Sequence, residues 1–275
     1  MLVAFGRFGR LRMPSPLMAA LKDVGDGVRL APLWWRLGLD QTASRFQRSI
    51  LGPFWMACNL LVVAFALAFL VSALMGVDMS KSYPQVVAGL LAWSLVGTTI
   101  AEAQAIFLYN AGLMQSQRLP LSFYVFLHAQ KAATNFLFQA IAFWAVMLVI
   151  GRFSVPHWTL IPAVALMLLI VCLQGFIIAI PSTRFRDVAY MMSYVVQLLF
   201  YVTPVFWMTA NVSAKHRWVV ELNPLAHQVE LLRAPLTGHA PAALDWYWTL
   251  GTTGVLAIVA LALLAMFRKR VVFWL

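Results

Sequence analysis

The chain has 275 residues, 63% of them hydrophobic and 11% charged, with a mean hydropathy of +0.83. Soluble domains hold about 45–50% apolar residues, so a water-soluble fold is excluded and lipid becomes the solvent. The net charge of +11 is concentrated beside the apolar runs at one side, which excludes a nucleic-acid patch in favour of charge that orients a chain in a membrane. Backbone groups facing hydrocarbon must be paired within their own segment, so the runs predict an all-α integral membrane fold.

The first 31 residues carry Arg7, Arg10, Arg12 and Lys22 on short apolar stretches broken by Pro14 and Pro16; a cleaved signal peptide is not expected, and this N-terminal segment receives no role. Residues 32–275 form the predicted transmembrane domain. It opens on an amphipathic helix over 32–49, where Trp34, Trp35, Leu37, Leu39 and Phe46 alternate with Arg36, Arg45 and Arg48, as suits a helix lying in the headgroup plane. Six spans follow, at 54–75, 84–107, 121–150, 159–180, 188–208 and 247–267, and then a tail at 268–275. The third is overlong, so its start is expected below the hydrocarbon. Between the fifth and sixth, residues 209–246 are too long for a structureless loop, and the run LAHQVELLRAPL predicts short helices there. No internal repeat or low-complexity tract is present.

Of the 20 lysines and arginines, fifteen fall on the side of the termini and five (Lys81, Arg152, Lys215, Arg217 and Arg233) on the other, which places both termini in the cytoplasm of a multi-pass inner-membrane protein. Cys58 and Cys172 lie inside spans as small buried hydrophobes, and the Asn211-Val212-Ser213 sequon is a chance match.

No G-x-x-x-x-G-K-S/T phosphate loop occurs, so ATP must be bound by another polypeptide and no cofactor is expected in this chain. The five histidines are scattered and predict no metal site; no serine-hydrolase elbow or zinc-protease helix is present. Three polar stripes run at helical spacing. His128, Lys131, Asn135 and Gln139 share one face of the third span and must turn from lipid. Ser94, Thr98 and Glu102 share a face of the second; Glu102 either pairs with Lys131 or snorkels to the inner interface. Tyr190, Tyr194, Gln197 and Tyr201 stripe the fifth span, either as a surface for a sliding sugar or as ordinary helix packing. Trp55, Trp158, Trp207, Trp246 and Trp248 fall at span ends, as interface-belt residues do.

From Arg45 onward the chain resembles the permease subunits of ABC transporters that export O-antigen, capsule and other polysaccharides. The landmarks are Arg48-Ser-Ile-Leu-Gly-Pro-Phe-Trp55, Glu102 with Asn110 and Leu119-Pro120-Leu121, Arg184-Phe-Arg-Asp187, Thr203-Pro-Val-Phe-Trp207, Leu222-Asn-Pro-Leu225 with Leu232-Arg233, and Arg268-Lys-Arg270 to Trp274. The resemblance implies a homodimer of six-span subunits, two ATPase subunits beneath it, and a lipid-linked glycan as substrate. It also implies a cytoplasmic coupling helix between the second and third spans. Asn110 to Pro120 suits that place, with Asn110 as a cap and Leu113, Met114 and Gln117 facing the ATPase. Two other readings stay open: a permease for drugs or small lipids, and a membrane-embedded enzyme acting on lipid-linked sugars, the latter requiring clustered acids that this dispersed set does not supply.

Overall fold

The computed structural model describes residues 15–52, 54–207 and 214–275. Residues 1–14 of the N-terminal segment, the last residue of the predicted fifth span and the sequon at Asn211 lie outside them.

Every regular element among the described residues is helical. Two helices come first, α1 (Pro16–Arg29) and α2 (Ala31–Arg45), the former capped where Ser15 Oγ accepts the Met18 N–H at 3.3 Å with proline at the first helical position. Two long helices, α3 (Phe54–Met75) and α4 (Met79–Ala103), then pack together. Gly76, at φ 65, takes the left-handed turn that ends α3. The Asp78 carboxylate accepts the Ser80 N–H at 2.9 Å, and this cap starts α4 five residues ahead of the predicted start at Pro84. That bond holds the Asp78 carboxyl below its usual pKa, with Lys81 and Arg152 adding to the effect.

The chain then turns through α5 (Ile106–Tyr109) and α6 (Ala111–Ser116) into α7 (Leu121–Val149), α8 (Leu160–Arg184) and α9 (Arg186–Val202). Pro181 was expected to open a loop to Asp187, but it lies inside α8 and the break is the single residue Phe185. Ser182 Oγ donates to the Ile178 carbonyl at 2.7 Å and Thr183 Oγ1 to that of Ile180 at 2.6 Å, satisfying carbonyls around the proline. After a 3-10 turn at Ala214–His216 come α10 (Trp218–Glu221), α11 (Pro224–Leu236), α12 (Ala243–Phe267) and the short α13 (Val271–Trp274).

Five of these helices, α3, α4, α7, α8 and α12, are long and apolar enough to cross a membrane, with mean hydropathies from 1.6 to 2.8. The remaining predicted span corresponds to α9, which has 17 residues. α4 is the central post: 78% of its apolar window is buried, against 17% for α12, and it packs on α3, α7, α8, α9 and α11. Near its lower end, Phe107, Phe123 and Tyr124 are fully buried and meet edge to face, Phe123 and Tyr124 at 5.3 Å and 80°. Between helices already in lipid, such close packing supplies the association that the hydrophobic effect does not.

The N-terminal helices are part of this assembly, so residues 15–31, to which the sequence assigned no role, have a structural one. Asp23 accepts the N–H groups of Leu121 at 3.2 Å and Ser122 at 3.0 Å, capping α7 from 98 residues away, and Ser122 Oγ donates back to the Asp23 carbonyl at 2.6 Å. Gly27 permits that approach, since an added Cβ would overlap Ser122 Oγ. Arg268, beyond α12, donates to the Ala19 carbonyl, tying the C-terminal end to the same place. α2 lies along α7 with Trp34 against Phe126 at 5.9 Å, while Leu33, Trp35 and Leu39 stay exposed.

Candidate functional site

The end of the molecule that carries α1, α2 and α13 holds a cavity of about 620 Å³. The C-terminal end of α2, the foot of α4, the α5 turn and the first half of α7 converge on it. Of the predicted stripe, His128, Lys131 and Asn135 line it, and Glu102 joins them from α4. Gln139, one turn further along α7, does not line it; its Oε1 is buried without a hydrogen-bond partner.

The expected Glu102–Lys131 ion pair is not formed, since the two groups share the cavity without closing to contact. The Lys131 ammonium instead sits 5.6 Å from the centre of the Tyr109 ring, whose π face competes for the charge. Sequence spacing could not reveal Arg45 and Tyr109, because they reach the cavity from α2 and α5; Tyr124, one turn before His128 on α7, continues the predicted stripe and was missed. His128 Nε2 and the Tyr124 hydroxyl, both buried beside the cavity, have no hydrogen-bond partner among the described residues. Arg45 and Lys131 against the single carboxylate of Glu102, with the polar side chains of His128 and Asn135 beside them, suit a polar or anionic guest at the foot of the bundle.

A second polar feature runs up the outside of the protomer. From Val86 to Ala103, every residue of α4 is buried except Ser94, Thr98, Ala101 and Glu102, so the predicted stripe is the seam that α4's neighbours leave open. α9 packs on α4 and α8 by one face. Its other face carries Tyr190, Tyr194 and Tyr201, 70%, 68% and 58% exposed, with Gln197 also exposed. The stripe is therefore not internal packing within this protomer.

Between α4 and α7, α6 stands as the short helix expected there. Asn110 does not cap it through its side chain: Nδ2 donates to the Ile106 carbonyl at 2.7 Å, extending α5 instead. Met114 is buried in the core at 5% exposure, so it anchors the turn from within, whereas Leu113 is half-buried and Gln117 exposed. A partner protein would thus meet Gly112, Leu113, Gln115 and Gln117.

At the opposite end, three of the sequence landmarks form one knot. Asn223 Oδ1 accepts the Leu225 N–H at 3.0 Å and its Nδ2 donates to Thr203 Oγ1 at 3.1 Å. Arg233 donates to the carbonyls of Pro204 and Val205 and, at 3.1 Å, to Glu230. Burial lowers the Arg233 pKa from its ordinary value, with Glu230 acting the other way. α11 is thereby wedged between α4, α8 and α12. His227 fixes it to α12, with Nδ1 2.7 Å from Asp245 Oδ1, Nε2 3.0 Å from the Glu221 carbonyl, and its ring stacked 5.3 Å from Trp248.

A bundle of membrane-length helices with a polar seam, a cavity at one end and a wedged helix at the other defines a polytopic transport-type membrane protein. The family model described as ABC-2 type transporter matches residues 32–237, three-quarters of the chain, and the chain belongs to that family. It is similar to two proteins of Klebsiella pneumoniae described as O-antigen export system permease protein RfbA, each 24% identical over 187 residues, covering 67% of this chain and 72% of the relative.

Proposed function

We propose that this chain is the permease of an ATP-driven exporter carrying lipid-linked polysaccharide, of O-antigen or capsule type, from cytoplasm to periplasm across the inner membrane. One observation carries the reading: a pair of polar stripes, Ser94, Thr98 and Glu102 on α4 and Tyr190, Tyr194, Gln197 and Tyr201 on α9, is left uncovered or part-covered by the protomer. Ser94 Oγ is satisfied by the Leu91 carbonyl at 2.7 Å, but the tyrosine hydroxyls, Gln197 and Glu102 would lack partners in hydrocarbon, so the pair faces water, glycan or a second copy. A homodimer that encloses it forms a path lined by flat rings with hydroxyl tips, which offer sugars apolar area and a polar handle without a deep trap. The export role printed for the two relatives points the same way.

In this reading the domain spans 32–275, with residues 1–31 as a cytoplasmic segment and α9 as the fifth of six spans. At about 1.5 Å per residue its 17 residues rise about 25 Å, and the irregular stretch after Val202 completes the crossing where α11 covers it. α2 is the interface helix, its exposed Leu33, Trp35 and Leu39 set in the inner headgroups. The basic cavity above it receives the anionic carrier end of the substrate. Two copies of a separate ATPase bind beneath, hold the ATP and push on α6. A membrane enzyme would need paired carboxylates, and Glu102 is the one carboxylate lining the cavity among the described residues.

The test is the combined replacement of Tyr190, Tyr194 and Tyr201 by alanine. Surface polysaccharide should fall by about tenfold while the amount of folded protein and its ATPase are unchanged. Normal export by a folded triple variant would remove the path from α9.

A further inference from the structure

The end of the bundle opposite the basic cavity holds another pocket, of about 560 Å³, between the start of α4, the end of α7 and α11. Lysines and arginines are scarce on this side: five of the chain's twenty, of which three, Lys81, Arg152 and Arg233, line this one pocket, joined by His239. Glu230 is the carboxylate among the lining residues, and it is held by Arg233 at 3.1 Å. Lys81 and Arg152 close no ion pair among the described residues, although Asp78 faces both. Arg152 is oriented by donating to Ser80 Oγ at 3.0 Å. Arg233 is 93% buried, and its Nε has no partner although the rest of its guanidinium is bonded. The wall beside these cations is apolar, presented by part-exposed Trp144 and Pro84 with buried Phe143 and Met147 behind, and Trp144 Nε1 donates to the Leu236 carbonyl at 3.4 Å.

A cationic mouth against an aromatic wall, at the end of a membrane-length helix, is complementary to an amphiphile with an anionic head. Free phosphate would use the cations and leave the wall bare; an acyl chain alone would leave the cations unpaired. We propose that this pocket binds an anionic phospholipid of the outer leaflet, its phosphate between Lys81 and Arg152 and the first carbons of its chains against Trp144 and Pro84. The lipid would sit beside α11 and the Arg233 knot, so its occupancy would hold the wedged helix in place. This needs only that the chain spans a bilayer, and is independent of what the transporter exports.

Detergent-purified protein titrated with dioleoyl phosphatidylglycerol or dioleoyl phosphatidylcholine, and read by native mass spectrometry, tests the proposal. Retention of phosphatidylglycerol should exceed that of phosphatidylcholine by about tenfold, and the preference should vanish in Lys81→Gln/Arg152→Gln, the size expected for losing two charge-assisted contacts. Both side chains are exposed, so the variant retains its fold; Arg233, which holds the backbone at Pro204, is left intact. Equal retention of the two lipids, or an undiminished preference in the double variant, would overturn the site. Displacement of the lipid by millimolar inorganic phosphate would overturn the lipid assignment.

Discussion

Asp23 illustrates how one side chain on a segment of no evident role can govern a distant helix. Its carboxylate takes two of the unpaired N–H groups at the start of α7, and at 9% exposure water cannot replace it. Asp23→Ala should therefore cost about 1–3 kcal/mol and lower the thermal midpoint in detergent, while Asp23→Asn, which keeps one acceptor oxygen, should cost less. An unchanged midpoint for the alanine variant would contradict the capping role. His227 invites a parallel test at the other end. Both its nitrogens face acceptors and Asp245 is buried at 6% exposure, so His227→Ala strands a carboxylate and should destabilise by about 3 kcal/mol. Replacing both partners by leucine should recover part of that loss, and a double variant as unstable as the single one would argue against the pair.

At the scale of elements, the proposed function makes α6 the place where force from an ATPase would enter. Leu113 is half-buried at its outer face, so Leu113→Asp is expected to abolish export and weaken co-purification of the ATPase, with Met114 still seated in the core. Normal export and an intact complex would move the coupling contact elsewhere. The apolar runs behind α3 and α7 were legible in sequence because lipid exposure and burial both demand the same side chains, and their predicted limits match to within a residue. Helix ends were less so, being decided by single caps and tolerated prolines, as Asp78 and Pro181 show. The stripe of His128, Lys131 and Asn135 could be read from spacing because it lies on one helix. Arg45 and Tyr109 could not, nor could α1, because the contacts that define them join residues far apart in the chain.

For the whole molecule, the polar stripes on α4 and α9 require a cover, which the proposed six-span homodimer would supply. In that proposal the split of fifteen basic residues to five would orient the dimer with both termini in the cytoplasm. Reporter fusions at Lys81, Arg152 and His216 should accordingly read as periplasmic and those at Gln115 and Arg186 as cytoplasmic; a periplasmic signal at Gln115 would exclude six spans. Export itself is tested most directly by deleting the gene and measuring glycan on the cell surface and in the cytoplasm. Loss of the surface polymer with accumulation of lipid-linked polymer inside, both reversed by restoring the gene, is the expected result. A surface polymer unchanged in amount and length would contradict the assignment of this chain to polysaccharide export.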